Sequence, residues 1–138
     1  MYGALDISVS GMIAQRTRME VISANIANQN TILDADGNLS PYKRRHVMFS
    51  PGNPGATSPA GRAMGVHVSE IYANPDAIQW KWDPSSPYAN ADGYVPTPDI
   101  DSVTEQINAM EAMRAYEANI AAAEATKAMM AQALRLIA

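Results

Sequence analysis

Cysteine is absent from the 138 residues. That excludes disulfides, thiolate metal sites and a cysteine nucleophile. Histidine is scarce, with only His46 and His67, too few for a histidine-based metal or acid–base centre. Aromatics are 7% of residues, so little of any core can be aromatic. The net charge of −4 argues against a general nucleic-acid binder, which needs a basic surface. No apolar run approaches the roughly 18 residues of a membrane-spanning helix. The first residues carry no early basic region, and Asp6 interrupts the apolar stretch. No cleavable secretory signal is expected, which leaves a cytoplasmic protein or one exported by a route that reads something else. There is no phosphate-binding glycine loop and no nucleophile elbow. Glu111 and Glu124 each have a basic residue three positions on, Arg114 and Lys127, and read as ordinary helix-face pairs. No enzymatic activity, cofactor, metal or small-molecule substrate is expected.

What the chain does have is a long amphipathic stretch at its end. From about Asp99 to Ala138, Met113, Ile120, Lys127 and Leu134 share one heptad register. Tyr116, Ala123, Met130 and Ile137 share a second, three residues later. Read as a and d positions, they form an apolar seam that only Lys127 breaks. Val103, Ile107 and Met110 continue the stripe upstream. Pro96 and Pro98 mark the boundary, and Asp101 or Ser102 supplies a cap, with Glu105 completing a capping box after Ser102. Such a helix is roughly 55–60 Å long, against a radius of gyration of about 14–15 Å for a compact domain of this size. It is too long to be covered by its own chain. Residues 4–28 read as a second amphipathic helix, with Leu5, Met12, Met19 and Ile26 spaced by seven. That stripe reads as core packing, part of which can face another subunit.

The middle is different in kind. Asp34-Ala35-Asp36-Gly37-Asn38 resembles a calcium loop only briefly, because Leu39 and Arg45 stand where an EF-hand needs Gly and Glu. It reads as a tight turn. Tyr42–Phe49 and Gly65–Tyr72 read as strands, as does the alternation of Ile78, Trp80 and Trp82. The two tryptophans are expected to anchor a small sheet. Lys43-Arg44-Arg45 reads as a solvated strand face, with contact to an acidic neighbour as the functional alternative. Residues 50–64 and 84–98, rich in Pro and Gly, read as irregular loops, the second holding an Asp92-Gly93 turn. The expected fold is mainly α with a small β insertion. Residues 1–31 and 99–138 form an antiparallel, coiled-coil-like pair of terminal helices, and 32–98 form the insertion.

Several stretches match one family. Ser10-Gly11-Met12-Ile13-Ala14, Arg18, and Ser23-Ala24-Asn25-Ile26-Ala27-Asn28-Gln29-Asn30-Thr31 resemble the N-terminal signature of bacterial flagellar axial proteins of rod and hook. Tyr42–Phe49, Pro84–Val95, Arg114–Asn119 and Lys127–Met130 are similar to the proximal-rod type, as is the short insertion. The resemblance implies a structural subunit of the basal-body rod in the periplasm, exported without cleavage by the flagellar type III apparatus. The implied assembly is a helical tube that transmits torque and forms part of the export channel. Implied partners are copies of itself, the rod proteins FlgB, FlgF and distal-rod FlgG, and the adaptor FliE. The expected subunit interface takes in Leu5, Met12, Met19, Asn25, Ile26 and Asn28 of the first helix. On the last helix it takes in Met113, Arg114, Tyr116, Asn119, Ile120, Lys127, Met130, Leu134 and Ile137. The alternative reading is a cytoplasmic coiled-coil adaptor with a small β module.

Overall fold

The computed structural model describes residues 2–137, so Ala138, to which the predicted last helix runs, lies outside the described residues. Helix α1 spans Tyr2–Ala27, strand β1 Arg45–Pro51, helix α2 Pro59–Met64 and strand β2 Val66–Ala73. Strands β3 (Ile78–Trp82) and β4 (Tyr94–Pro98) follow, and helix α3 (Ser102–Ile137) ends the chain. The fold is mainly α with a small β insertion, as expected. At 36 residues, α3 is about 54 Å long. It runs antiparallel to α1, so that Asn25 meets Glu105 near one end and Tyr2 meets Met130 near the other. The 26 residues of α1 leave the last turns of α3 overhanging.

The start of α3 is capped by Asp101. Its carboxylate accepts the Thr104 amide at 3.1 Å, the Val103 amide at 3.4 Å and the Thr104 hydroxyl at 2.5 Å. The predicted capping box does not form, because Glu105 turns inward and is buried. The Thr104 hydroxyl first, then the Thr104 amide, hold the Asp101 carboxyl below its ordinary value of 3.8, against a smaller opposing effect of burial. A lowered folded-state value means the cap contributes fully above 3.8 and is lost as pH falls through the lowered value. Asp101→Ala should therefore speed amide exchange at Val103 and Thr104 at neutral pH, and the difference from the parent should shrink on acidification. A difference that grows instead would assign the cap to another group.

The insertion forms two separate antiparallel pairs, β1 with β2 and β3 with β4. A bulge at Met48/Phe49 shifts the β1 register, and α1 packs on this sheet. Three expectations need correction here. Residues 50–64 are not simply irregular: Ser58 caps α2 through the Gly61 amide at 3.0 Å, with Pro59 opening the helix. Ser58-Pro59 is a helix-start signal, masked by the surrounding Gly and Pro. Helix α2 is fastened to α1, because the Ser58 amide donates to Asp6 Oδ2 at 3.0 Å. Strand β4 falls in the second Pro-rich stretch. Its prolines are tolerated because a two-stranded ribbon has an outer edge on each strand where no amide hydrogen is needed. Trp80 and Trp82 anchor no core, for they are 58% and 66% exposed. Among the described residues no helix or second sheet packs extensively on the β3–β4 pair to cover them. The Asp34 segment is a turn as expected, with Gly37 at φ 82 and the Asp34 carboxylate accepting the Asp36 and Asn38 amides.

Candidate assembly surfaces

Three long-range connections fix how the helices and the β1–β2 sheet sit together, and one is a polar network built on two buried side chains. Asn25, near the end of α1, and Glu105, in the first turns of α3, are each 1% exposed. The Asn25 side-chain amide acts as a peptide group. Its Nδ2 donates to Arg45 O at 2.9 Å, and its Oδ1 accepts the Arg45 amide at 3.0 Å. That closes the free edge of β1 at its first residue. Nδ2 also donates to Glu105 Oε2 at 3.1 Å, and Oδ1 accepts the Tyr42 hydroxyl at 3.3 Å. The other Glu105 oxygen takes Arg44 Nε at 2.8 Å and a short contact from Arg44 Nη2. A buried carboxylate is tolerated only with such partners. Arg44 is therefore an internal ion-pair partner, which corrects the reading of Lys43-Arg44-Arg45 as a uniformly solvated strand face. Arg45 instead lies over the Tyr42 ring, 5.5 Å from its centroid, and Lys43 is exposed.

The second and third connections flank this one. Arg18 reaches Glu111 across the pair at 3.3 Å, so Glu111 does not pair with Arg114 as the spacing suggested. No Glu124–Lys127 pair forms among the described residues. Ser10 Oγ donates to Ile7 O and accepts the Val66 amide at 3.1 Å, which ties α1 to β2. A serine buried on α1 had no place in the amphipathic reading.

The seam between α1 and α3 is made of small and polar residues. Glu105, Ala112, Asn119, Thr126 and Ala133 are spaced by seven along the covered face, and Ala123 is buried with them. From α1 come Ser8, Gly11, Ala14, Ile22 and Asn25. Gly11 marks a close approach: a Cβ there would lie 2.8–2.9 Å from the Asn119 side-chain amide. Thus the first predicted register is one residue out. Met113, Lys127 and Leu134 are exposed, not in the intrachain seam, and Ile120 is only half-buried. The second register fares better, with Ala123 buried, Tyr116 and Met130 half-buried, and Ile137 exposed beyond α1.

The other expected interface residues divide cleanly. Leu5, Met12, Met19 and Ile26 are half-buried. Asn25 is saturated within the chain. Asn28 is half-buried and ends α1, its Nδ2 donating to Ala24 O and its Oδ1 accepting the Thr31 hydroxyl. Asn119 donates to Ala115 O at 2.9 Å, and Arg114 is exposed. Residues missed were Glu105 and Arg44, whose pairing across 61 positions leaves no local trace. Large apolar side chains stand exposed on the outer surface of α3. Val103, Ile107, Met110, Met129 and Leu134 are each more than half exposed, and Leu136 and Ile137 reach 89% and 84%. Among the described residues no group of His, Cys, Asp and Glu could hold a metal ion, and no helix is long and apolar enough to cross a membrane.

Comparison with known proteins gives this arrangement a family. Residues 5–32 match the model for the flagella basal body rod protein, and residues 91–136 match that for the C-terminal part of flagellar basal body rod FlgEFG proteins. The matched segments hold most of α1 and α3. The flagellar basal-body rod protein FlgC of Bacillus subtilis is 34% identical, over 98% of this chain and 97% of its own length. FlgC of Borreliella burgdorferi is 33% identical over 99% and 97%. FlgC of Salmonella typhimurium is 34% identical over 95% and 93%. With so much of each length shared, the chain belongs to the FlgC family of flagellar basal-body rod proteins and is a structural subunit of the flagellar basal body.

Proposed function

We propose that the chain builds the proximal part of the rod by packing its terminal helix pair against the pairs of neighbouring subunits. The observation that carries this is the inverted distribution on α3, where small residues face α1 and large apolar residues face outward. A monomer with that much exposed apolar helix surface is an incomplete structure. Neighbours that cover it supply the burial, at roughly 25 cal/mol per Å² of apolar area. In this reading residues 1–31 and 99–138 are the axial domain, and 32–98 form an outward module held by the Asn25–Glu105–Arg44 joint. The tube so formed lies in the periplasm, carries torque and encloses part of the export channel. The chain itself arrives through the type III apparatus. Its neighbours are copies of itself, FlgB, FlgF, FlgG where the distal rod begins, and FliE at the base.

Lys127 and Arg114 bear on the register of such packing. Both are exposed on α3, outside the intrachain ion pairs. A cation on a helix face that becomes buried between subunits needs a carboxylate or a helix-end carbonyl opposite it. Such a pair specifies register more than it adds affinity. The test is Lys127→Met, which keeps length and apolar bulk. Export of the variant is expected to be normal, with motility and rod yield reduced. Unchanged motility and yield would show that Lys127 sets no register. Recovery of the parent chain in the soluble fraction, and not in detergent-resistant basal bodies, would overturn the packing reading itself.

A further inference from the structure

We propose that the outer edge of β1 is a docking site for an extended, acidic segment of a partner protein, which adds to that edge as a short strand. The site belongs to the folded chain alone and does not depend on how the helix pairs pack. The first ground is the edge itself. In an antiparallel pair, alternate residues turn their amide and carbonyl towards the partner strand and away from it. The Asn74 amide donates to Arg44 O at 3.1 Å, so Arg44, His46 and Met48 bond towards β2, while Arg45 and Val47 turn outward. The outward groups of Arg45 are taken by the Asn25 side-chain amide, at 2.9 and 3.0 Å. Those of Val47 take no partner among the described residues. Asn25 is thus a peptide group already docked on this edge. A strand added beyond it continues the ladder about 6.6 Å further on, accepting from the Val47 amide and donating to the Val47 carbonyl.

The second ground is space. Val47 lines an open groove of about 360 Å³ between β1 and the helix pair, together with Val21 and Ile22 of α1, Phe49 of β1 and Asn108 of α3. That volume lies in the range of ligand clefts, and its apolar residues can receive alternate side chains of an added strand. The third ground is charge. Arg18, Arg44 and Arg45 line the groove against one carboxylate, Glu105, on a chain whose net charge is −4. Glu105 is already committed to Arg44 and Asn25. Arg45 is in no ion pair among the described residues. Arg18 is held by Glu111, whose side chain is 66% exposed, and an exposed pair of that kind is weak. A partner carboxylate entering the groove can take Arg18 over, whereas a basic segment sets like charges together. Main-chain bonds at Val47 therefore hold the segment, and the arginines select its charge.

The probe is a capped hexapeptide of alternating aspartate and valine, titrated onto the full-length chain, with a lysine–valine hexapeptide as its counterpart. The aspartate peptide should bind saturably and slow exchange of the Val47 amide at least about tenfold. The lysine peptide should do neither. Methylating the backbone nitrogens of the aspartate peptide keeps its charge, removes its donors and should abolish the protection, with no change to the protein. Arg18→Gln gives up only an exposed ion pair of the fold and should weaken binding about fivefold. The proposal falls if the aspartate peptide does not bind saturably, or binds while Val47 exchanges as before. Equal binding of the two peptides would overturn the acidic chemistry assigned to the partner. Protection of Val47 that rises with the concentration of the chain alone would also overturn it, by showing that a second copy covers the edge.

Discussion

Glu105→Ala is expected to lower the free energy of unfolding by about 3 kcal/mol, the lower end of what removing one partner of a buried ion pair costs. The lower end applies because the Arg44 side chain keeps 27% of its exposure while that of Glu105 keeps 2%, so water can partly resolvate the orphaned guanidinium. The loss is large against a typical total of 5–15 kcal/mol. It also propagates. Asn25 Nδ2 keeps only Arg45 O as an acceptor, and the start of α3, the end of α1 and the first residue of β1 lose their common partner. Urea unfolding followed by circular dichroism measures the total, and exchange of the Arg45 amide reads the joint directly. Glu105→Gln, which keeps shape and can still bond Asn25, should fall between the parent and Glu105→Ala. The double variant Glu105→Ala with Arg44→Ala should cost less than the sum of the singles, because no unpaired charge remains. A loss below about 1 kcal/mol for Glu105→Ala, the size of an ordinary hydrogen bond, would show that the network holds nothing in place.

Gly11→Leu is the second substitution with a large expected effect. A side chain at Gly11 meets the Asn119 amide at 2.8–2.9 Å, and that amide is itself held by Ala115 O. Two opposed terms decide the outcome. Removing a mid-helix glycine gains up to about 1 kcal/mol of helix propensity. Overpacking a close helix contact costs about 1–3 kcal/mol. For Gly11→Ala the two nearly cancel, since Asn119 can rotate away. For Gly11→Leu the steric cost dominates, and the helices must part at the middle of the seam. Thermal unfolding should show little change for the alanine variant and a clear fall for leucine. Motility should follow if the outer surface of the pair is what neighbours recognise. Asn119→Ala should make Gly11→Ala more stable than the parent, by clearing the obstructing amide. If Gly11→Leu matches the parent in stability, the close approach of α1 and α3 is not required.

Sequence pattern showed the long last helix, its start after Pro96 and Pro98, and its antiparallel partner at the other terminus. These are local properties: a 3.6-residue apolar repeat and capping chemistry persist whatever the neighbours are. The turn at Gly37 and the alternation around Trp80 are local in the same sense. Which face of α3 points inward was not legible. The heptad reading assigns the largest apolar residues to the nearest seam, and here that rule selects Met113 and Leu134 in place of Ala112 and Ala133. The rule assumes that a chain buries its bulk within itself. This chain instead closes its own seam largely with Gly, Ala, Ser and Thr and leaves the larger side chains of α3 exposed.

The sequence by itself determined the helical ends and the family. Both rest on residue types at short spacing. Only the tertiary structure decided that Glu105 is a buried anchor and not a capping residue, that Arg44 is its partner and not a solvated cation, and that Trp80 and Trp82 stand exposed on β3. The physical reason is shared. A carboxylate, a guanidinium or an indole takes its role from what surrounds it in space, and residues 25, 44 and 105 become neighbours only after both terminal helices and β1 have folded together.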